Sequence, residues 1–413
     1  MTTSNPSRAP GATQVDQAEL WGPLADRYLG NQRPRRLLAL DGGGIRGILT
    51  LAILAEIERQ LATRTARPDA FRLCHFFDYI GGTSTGAIIA AGLARGMTVQ
   101  ELTSFYTSIG PEMFQKERLL HRLRNLYRSD PLAEQLKETF GERTTLSPSD
   151  LKCLLLVVTR NVTTDSPWPV SSVPPAKYNA TERADCNLKI PLWQLVRAST
   201  AAPIYFPPEV LEWEKGNAEK SFVFVDGGMT PYNNPAFLLY RMATAPEYRL
   251  GWPKGESQLM LVSVGTGSAA DRGPDALQPE TNVASTLVGL PGALMGGASV
   301  DQDINCRVIG RCVYGEAIDS EVGDLIPRED PTEPDSQPIP LDRDLERHFL
   351  YARYNADLSE EGLKRLNITG VDAEAVQKLD AVGNIANLIK IGEAAAKHVD
   401  LERFGKLVPQ RLS

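Results

Sequence analysis

The stretch Phe76-Phe77-Asp78-Tyr79-Ile80, followed after Gly81 by Gly82-Thr83-Ser84-Thr85-Gly86 and Ala87-Ile88-Ile89-Ala90-Ala91, decides how this chain folds. It predicts a strand over Phe76–Ile80, a tight turn with a serine at its apex, and a helix of small apolar residues over Ser84–Arg95. Gly82 and Gly86 stand where a side chain would collide. In such a G-x-S-x-G elbow the strained turn lifts the hydroxyl clear of the backbone, and the following helix turns its positive end toward the reaction centre. Glycine and serine are common, so the pattern alone is weak. The apolar run before it, the small-residue helix after it and two further glycine motifs give it weight.

Outward from the elbow, short apolar runs alternate with amphipathic segments from Arg35 onward, the pattern of a parallel α/β sheet. Strands are expected at Leu37–Leu40, Cys153–Thr159, Phe222–Val225 and Leu259–Val264. Helices are expected at Arg46–Leu61, Val99–Ser108, Leu132–Phe140, Leu192–Ala201 and Ala236–Ala243. Thr98-Val99-Gln100-Glu101 is a capping box, and Asn234-Pro235 sets a capping side chain before a proline. Residues 1–33 are expected to be a partly disordered extension with a short helix near Leu20–Tyr28, and 34–270 the catalytic domain. Residues 271–413 are expected to pack on that core as loops, over Ala269–Thr281 and Asp324–Pro340, and helices, notably Leu379–His398.

The chain has 413 residues, 42% apolar and 23% charged, which is ordinary for a globular protein with one large core. Its net charge of −7 argues against a nucleic acid polymer or an anionic membrane as an electrostatically captured partner. Cys74, Cys153, Cys186, Cys306 and Cys312 are odd in number and lack metal-ligand spacing, so free thiols in a reducing compartment are expected. The first thirty residues carry no apolar signal core, and no apolar stretch is long enough to span a bilayer. These points predict a cytoplasmic protein.

A second glycine cluster, Asp41-Gly42-Gly43-Gly44-Ile45-Arg46-Gly47, lies between a strand and a helix. Gly42, Gly44 and Gly47 satisfy the dinucleotide-binding G-x-G-x-x-G pattern. That fingerprint also needs an acidic residue about 20 positions on, ending a second strand. Here Ala52–Arg64 continues as helix, which favours an oxyanion hole instead. Consecutive glycines expose backbone N–H groups, and the helix from Arg46 adds its positive end. Arg46 would steady the loop or hold an anionic head group.

The third motif is Phe222-Val223-Phe224-Val225-Asp226-Gly227-Gly228. It sets an acid at the carboxyl end of an expected parallel strand, on the edge where open α/β sheets carry their sites. Alone, Asp-Gly would be an ordinary turn; in the company of the other two motifs it becomes a candidate for the catalytic acid. None of His75, His121, His348 and His398 closes a strand or sits in a glycine turn, so a Ser-His-Asp triad lacks its histidine. Ser84 paired directly with Asp226 is the economical alternative. Because an ordinary aspartate, with a pKa of about 3.9, is a feeble base, that pair needs a desolvated site and a strong oxyanion hole.

These residues resemble the patatin-like phospholipases. Asp41–Gly47, Gly82–Gly86 and Asp226–Gly228 occur in that family's order. Arg197-Ala-Ser-Thr-Ala-Ala-Pro203, Tyr205-Phe-Pro-Pro208, Asn233-Asn-Pro235 and Ser263-Val-Gly-Thr-Gly267 add to the match, which runs from about Arg35 to Gly267. The resemblance implies a three-layer α/β/α fold with a mostly parallel central sheet and a helical C-terminal extension. It implies a Ser-Asp dyad hydrolase of phospholipid acyl esters, with Ser84 as nucleophile, Asp226 as base and Gly42, Gly43 and Gly44 as the oxyanion hole. Gly82, Gly86, Gly228 and Arg46 would be in support. No metal or organic cofactor is expected, and membrane contact would be peripheral. Tyr351–Asn355 and Leu379–Ile385 are similar, more weakly, to bacterial members switched on by cyclic nucleotides in antiphage defence. That likeness would add a cyclic dinucleotide activator and a homo-oligomer, while a non-catalytic lipid-binding protein is the remaining rival.

One surface feature bears on access. Lys116, Arg118, Arg122, Arg124 and Arg128 interleave with Met113, Phe114, Leu119, Leu120, Leu123 and Leu126. Such a basic amphipathic segment suits a core-facing helix with a solvated face, a membrane-contacting lid, or a cradle for a phosphate-bearing activator.

Overall fold

The computed structural model describes residues 17–30, 33–113, 131–203, 206–214, 216–268, 283–319, 321–327 and 346–412. The basic segment Lys116–Arg128 and the Ala269–Thr281 stretch lie outside them. Among the described residues one sheet has nine strands: β1 (Arg35–Leu40), β2 (Tyr79–Thr83), β3 (Leu154–Asn161), β4 (Ser166–Ser171), β5 (Glu209–Glu212), β6 (Ser221–Asp226), β7 (Leu259–Val264), β8 (Arg311–Tyr314) and β9 (Leu350–Tyr354). The order is β5-β6-β3-β2-β1-β7-β9-β8, with β4 also on β3. From β3 to β8 the neighbours run parallel, whereas β4, β5 and β6 pair antiparallel.

Alternate side chains of the central strands feed two separate cores, as a sheet covered on both faces requires. Leu38 and Leu40 of β1 and Leu155 and Val157 of β3 enter one core. The helices Gly47–Ala62, Thr85–Arg95, Leu192–Ser199 and Ile385–Ala396 cover it. Leu37, Ala39, Leu154 and Leu156 enter the other, beneath Ala236–Thr244 and the short N-terminal helices around Trp21 and Tyr28. The molecule is therefore the expected three-layer α/β/α fold with a mostly parallel sheet.

The local starts and stops follow the sequence closely in places. The Thr98 N–H donates to Glu101 Oε2 at 2.7 Å and the Glu101 N–H to Thr98 Oγ1 at 3.0 Å, completing the capping box. Asn234 Oδ1 accepts the Ala236 N–H at 3.0 Å, so its side chain meets the start of the helix Ala236–Thr244, with Pro235 just before the first helical residue. Elsewhere the expectations need correction. The elbow strand is Tyr79–Thr83, because Phe76 ends a short helix, Leu73–Phe76, that buries its ring. The strand ending in Asp226 is antiparallel to its neighbours. In the C-terminal region β8 and β9 extend the sheet beside β7. The helix there is Ile385–Ala396, and Gly392 lets it approach Gly47–Ala62: a Cβ at Gly392 would meet the Ala52 Cβ at 2.7 Å.

Candidate active site

The elbow is built as its residues require. Ser84 has φ 53° and ψ −123°, a conformation that costs a residue with a side chain about 1–3 kcal/mol. A Cβ at Gly82 would stand 2.1 Å from the Gly86 carbonyl oxygen, and one at Gly86 would stand 2.3 Å from that of Leu40. The turn can close only with glycine at both. The Ser84 N–H donates to Ser199 Oγ at 2.9 Å, and that hydroxyl donates to the Val158 carbonyl at 2.6 Å. The last residue of the helix Leu192–Ser199 thus ties the strained turn to β3.

Register explains how an antiparallel strand delivers its acid to this turn. One edge of β3 is taken by β4 over residues 156–161. On the other edge β2 pairs as far as Thr83 opposite Val158, and β6 begins with Asp226 opposite Thr159. The chain leaves the ladder at Ser84 and the aspartate enters at the next position. Ser84 Oγ donates to Asp226 Oδ2 at 2.6 Å, and Asp226 Oδ1 accepts the Gly228 N–H at 2.7 Å. Ser84 is 9% exposed and Asp226 4%. Burial pushes the Asp226 carboxyl up to about 6, against the lowering effects of the Ser84 hydroxyl, the Gly228 N–H and the Arg197 guanidinium. A carboxylate so placed accepts a proton far more readily than an exposed one.

The glycine loop faces this pair. A Cβ at Gly42 would lie 3.3 Å from the Ser84 Cβ. The Gly42 N–H donates to the Asn233 carbonyl at 3.0 Å, so it is not a free donor as expected from the sequence. The N–H groups of Gly43 and Gly44 donate to nothing among the described residues. Gly44 has φ +59°, and the Leu379 carbonyl, which accepts the Ile45 N–H at 3.0 Å, occupies the place of its Cβ. Arg46 Nε reaches the Gly43 carbonyl at 3.4 Å, as a brace of the loop would, and burial draws its guanidinium down to about 10.

Sequence reasoning quoted the motifs that contain Arg197, Ser263 and Arg353 but gave these residues no part in holding the pieces together. Arg353 of β9 makes a two-pronged pair with buried Asp41, at 2.8 and 2.5 Å, and donates to Ser263 Oγ at 2.6 Å. Burial raises the Asp41 carboxyl and the Arg353 charge opposes it. Arg197 donates to the Pro207 carbonyl at 3.1 Å and stacks on Phe206. The described histidines stand elsewhere. His75 Nδ1 accepts the Arg72 N–H, His348 bonds to the Tyr240 hydroxyl, and His398 stacks on Tyr314. All five cysteines are buried and free, and no group of three His, Cys, Asp or Glu able to hold a metal occurs among the described residues. Among those residues no helix is long and apolar enough to cross a membrane.

Residues 38–240 match the model of the patatin-like phospholipase family. A cGAMP-activated phospholipase of Vibrio cholerae is 34% identical over 248 residues, covering 56% of this chain and 64% of that protein. A second, from Escherichia coli, is 34% identical over 212 residues, covering 50% and 55%. Patatin-2-Kuras 4 of Solanum tuberosum is 29% identical over 248 residues, covering 57% and 63%. The chain therefore spans less than two thirds of the length of each of these relatives. Residues 38–240, which bring the elbow, the glycine loop and the Asp-Gly-Gly turn into one site, belong to the patatin-like phospholipase family.

Proposed function

We propose that the protein is a serine lipid acyl hydrolase of the phospholipase A type, cleaving fatty-acyl esters of membrane phospholipids. The observation that carries this reading is the 2.6 Å bond from Ser84 Oγ to a buried carboxylate at the apex of a strained elbow. Ser84 Oγ attacks the ester carbonyl carbon while Asp226 Oδ2 takes its proton. The N–H groups of Gly43 and Gly44 receive the developing oxyanion, and Gly42 holds the loop in place. Asp226 then gives its proton to the departing alkoxide, leaving the acyl chain on Ser84. Water attacks the acyl-enzyme with Asp226 again as base, and the fatty acid leaves. The catalytic unit is residues 34–270, closed by Arg353 from the C-terminal region. The working place is the cytoplasmic face of a membrane, in peripheral contact with the bilayer that holds the substrate.

The test is hydrolysis of a short-chain nitrophenyl ester, with a fluorophosphonate probe to label the nucleophile. Ser84→Ala and Asp226→Ala each abolish turnover, and Ser84→Ala abolishes labelling. Turnover like that of the wild type in either variant overturns the dyad, and a wild type that takes no label supports a non-catalytic lipid-binding role instead. Lipid mass spectrometry of phospholipid incubated with the wild type then gives the positional and acyl preference.

A second reading adds a switch, and the two bacterial relatives named as cGAMP-activated phospholipases favour it. In it, hydrolysis stays silent until a cyclic dinucleotide binds and rearranges or oligomerises the chain, giving a membrane-degrading effector of antiphage defence. Turnover measured with and without cyclic dinucleotides decides. High basal activity that none of them changes removes the switch and leaves the hydrolase.

A further inference from the structure

Asn233 opens the Asn-Asn-Pro motif, which the dyad and the glycine loop leave without a part. The residue is 6% exposed, yet its Oδ1 has no hydrogen-bond partner among the described residues. A buried acceptor left unmade is costly, so one in a native site calls for an explanation. The oxygen lies in the gap between the two backbone segments that flank the dyad. It is 2.4 Å from where a Cβ at Gly42 would stand, the same point that lies 3.3 Å from the Ser84 Cβ. It is 3.0 Å from where a Cβ at Gly228 would stand, which is also 3.0 Å from Asp226 Oδ1. Glycine at both positions leaves room for this oxygen beside the dyad.

The carboxamide is held with its oxygen toward the gap. Nδ2 donates to Ser299 Oγ at 3.0 Å and more loosely to the Gly42 carbonyl at 3.4 Å, while the Gly42 N–H donates to the Asn233 carbonyl at 3.0 Å. Turning the group over would set its oxygen against the Gly42 carbonyl, two acceptors face to face. Ser299 belongs to the helix Val283–Ile309, whose Met295 closes over Gly228.

We propose that Asn233 Oδ1 is the second acceptor of the hydrolytic water, orienting it for attack on the acyl-enzyme. This rests on the Ser84–Asp226 reading above. Water carries two O–H bonds. Once Ser84 is acylated, Asp226 Oδ2 is free to take one proton, but Oδ1 is held by Gly228. The other O–H needs an acceptor among side chains as buried as Ser84 and Asp226, and Asn233 Oδ1 supplies it. Water oxygen bonds to the acyl carbon as its proton passes to Asp226. The carbon–Oγ bond then breaks, the proton returns from Asp226 to Ser84 Oγ, and the fatty acid departs.

The requirement for two acceptors separates water from an alcohol, which has one O–H and needs only Asp226. The experiment therefore compares hydrolysis with methanolysis of a nitrophenyl ester in wild type and Asn233→Ala, with the pre-steady-state burst of nitrophenol recorded for both. The variant is expected to keep the burst, lose on the order of tenfold in steady hydrolysis, and shift the ratio of methyl ester to fatty acid several-fold toward the ester. A burst and steady rate that fall together with an unchanged ratio overturn the assignment. If Asn233→Ala does not fold, Ser299→Ala, which releases the carboxamide, carries the same test: the ratio moves in the same direction, or the proposal is wrong. Fluorophosphonate labelling of the wild type keeps the outcomes apart, because absent labelling defeats the dyad reading itself, while labelling with an unmoved ratio defeats only the role of Asn233.

Discussion

Asp226→Asn separates the catalytic demand on this site from its cost to the fold. The substitution keeps the shape and leaves Oδ1 to accept the Gly228 N–H, but it removes the charge. In the wild type the carboxyl is raised from 3.8 to about 6, with burial the leading cause. Above pH 6 the folded protein therefore holds a buried anion that the unfolded chain keeps in water, at a cost of about 3 kcal/mol. Between about pH 4 and 6 folding takes up a proton and the cost shrinks. Below both values the group is neutral in either state and the cost vanishes. The contribution to stability is thus whole at low pH and is lost as pH rises through about 6. Asparagine carries no such dependence. Near pH 8 the variant should be the more stable by about 3 kcal/mol, or about 3–4 °C in Tm for a chain of this length. Near pH 4 most of that advantage should disappear. Paired thermal melts at the two pH values measure it, and taking the difference at each pH removes the general effect of acid. In the same series wild-type kcat/KM for the nitrophenyl ester should rise with one ionisation near pH 6 and stay level above it, while the variant loses about 10²–10⁴-fold. A stability gap equal at both pH values, or a variant less stable near pH 8, refutes the claim that a desolvated carboxylate is stored here.

The strained elbow predicts that Ser84→Gly raises stability in urea by about 1 kcal/mol, the released strain less the entropy glycine costs, whereas Ser84→Ala brings no gain. A Cβ at Gly43 would stand 2.1 Å from Thr266 Oγ1; Gly43→Ala should therefore displace the loop and lower kcat by about 10²–10³. Adding Thr266→Gly, which clears the space, should recover part of that loss in the ester assay. Arg353→Met leaves Asp41 buried without its partner and should cost about 3–5 kcal/mol in urea denaturation. Asp41→Asn on top of it should restore much of the stability, because the stranded charge is gone.

How much of this was legible from sequence depends on the range over which each constraint acts. The elbow and the glycine loop were legible because a Cβ at Gly82 or Gly86 meets backbone only a few residues away or in the adjoining strand end, so the chain must spell the requirement locally. Apolar content could not set where β2 begins, since Phe76 and Phe77 are buried equally well on a helical turn and on a strand. β4 escaped because Pro167 and Pro169 argue against a strand, and only its place on the outer edge of β3 makes them tolerable. Arg353 was least legible of all. In Leu350–Tyr354 an arginine looks like a solvated charge, and nothing near it in sequence shows that Asp41, more than three hundred residues earlier, waits for it in the core.

The direction of β6 shows how far strand topology alone can be trusted to place an acid beside a candidate nucleophile. An acid at the carboxyl end of a parallel strand would reach the catalytic edge by topology, yet this strand runs the other way and reaches the same place. What brings Asp226 to Ser84 is the ladder position on β3: Val158 is the last residue to pair with β2, and Thr159 the first to pair with β6. The elbow itself creates that vacancy, because the chain must leave the sheet at Ser84 to make the turn. A strand arriving from either direction could fill it, but only one that ends there can present a side chain to the serine and then turn away. Gly227 and Gly228 supply that turn: a Cβ at Gly227 would stand 2.2 Å from the Val158 carbonyl. The glycines after Asp226 are therefore needed for the same reason as those around Ser84, to let two chain segments part company at one point on β3 while their side chains remain in hydrogen-bond contact.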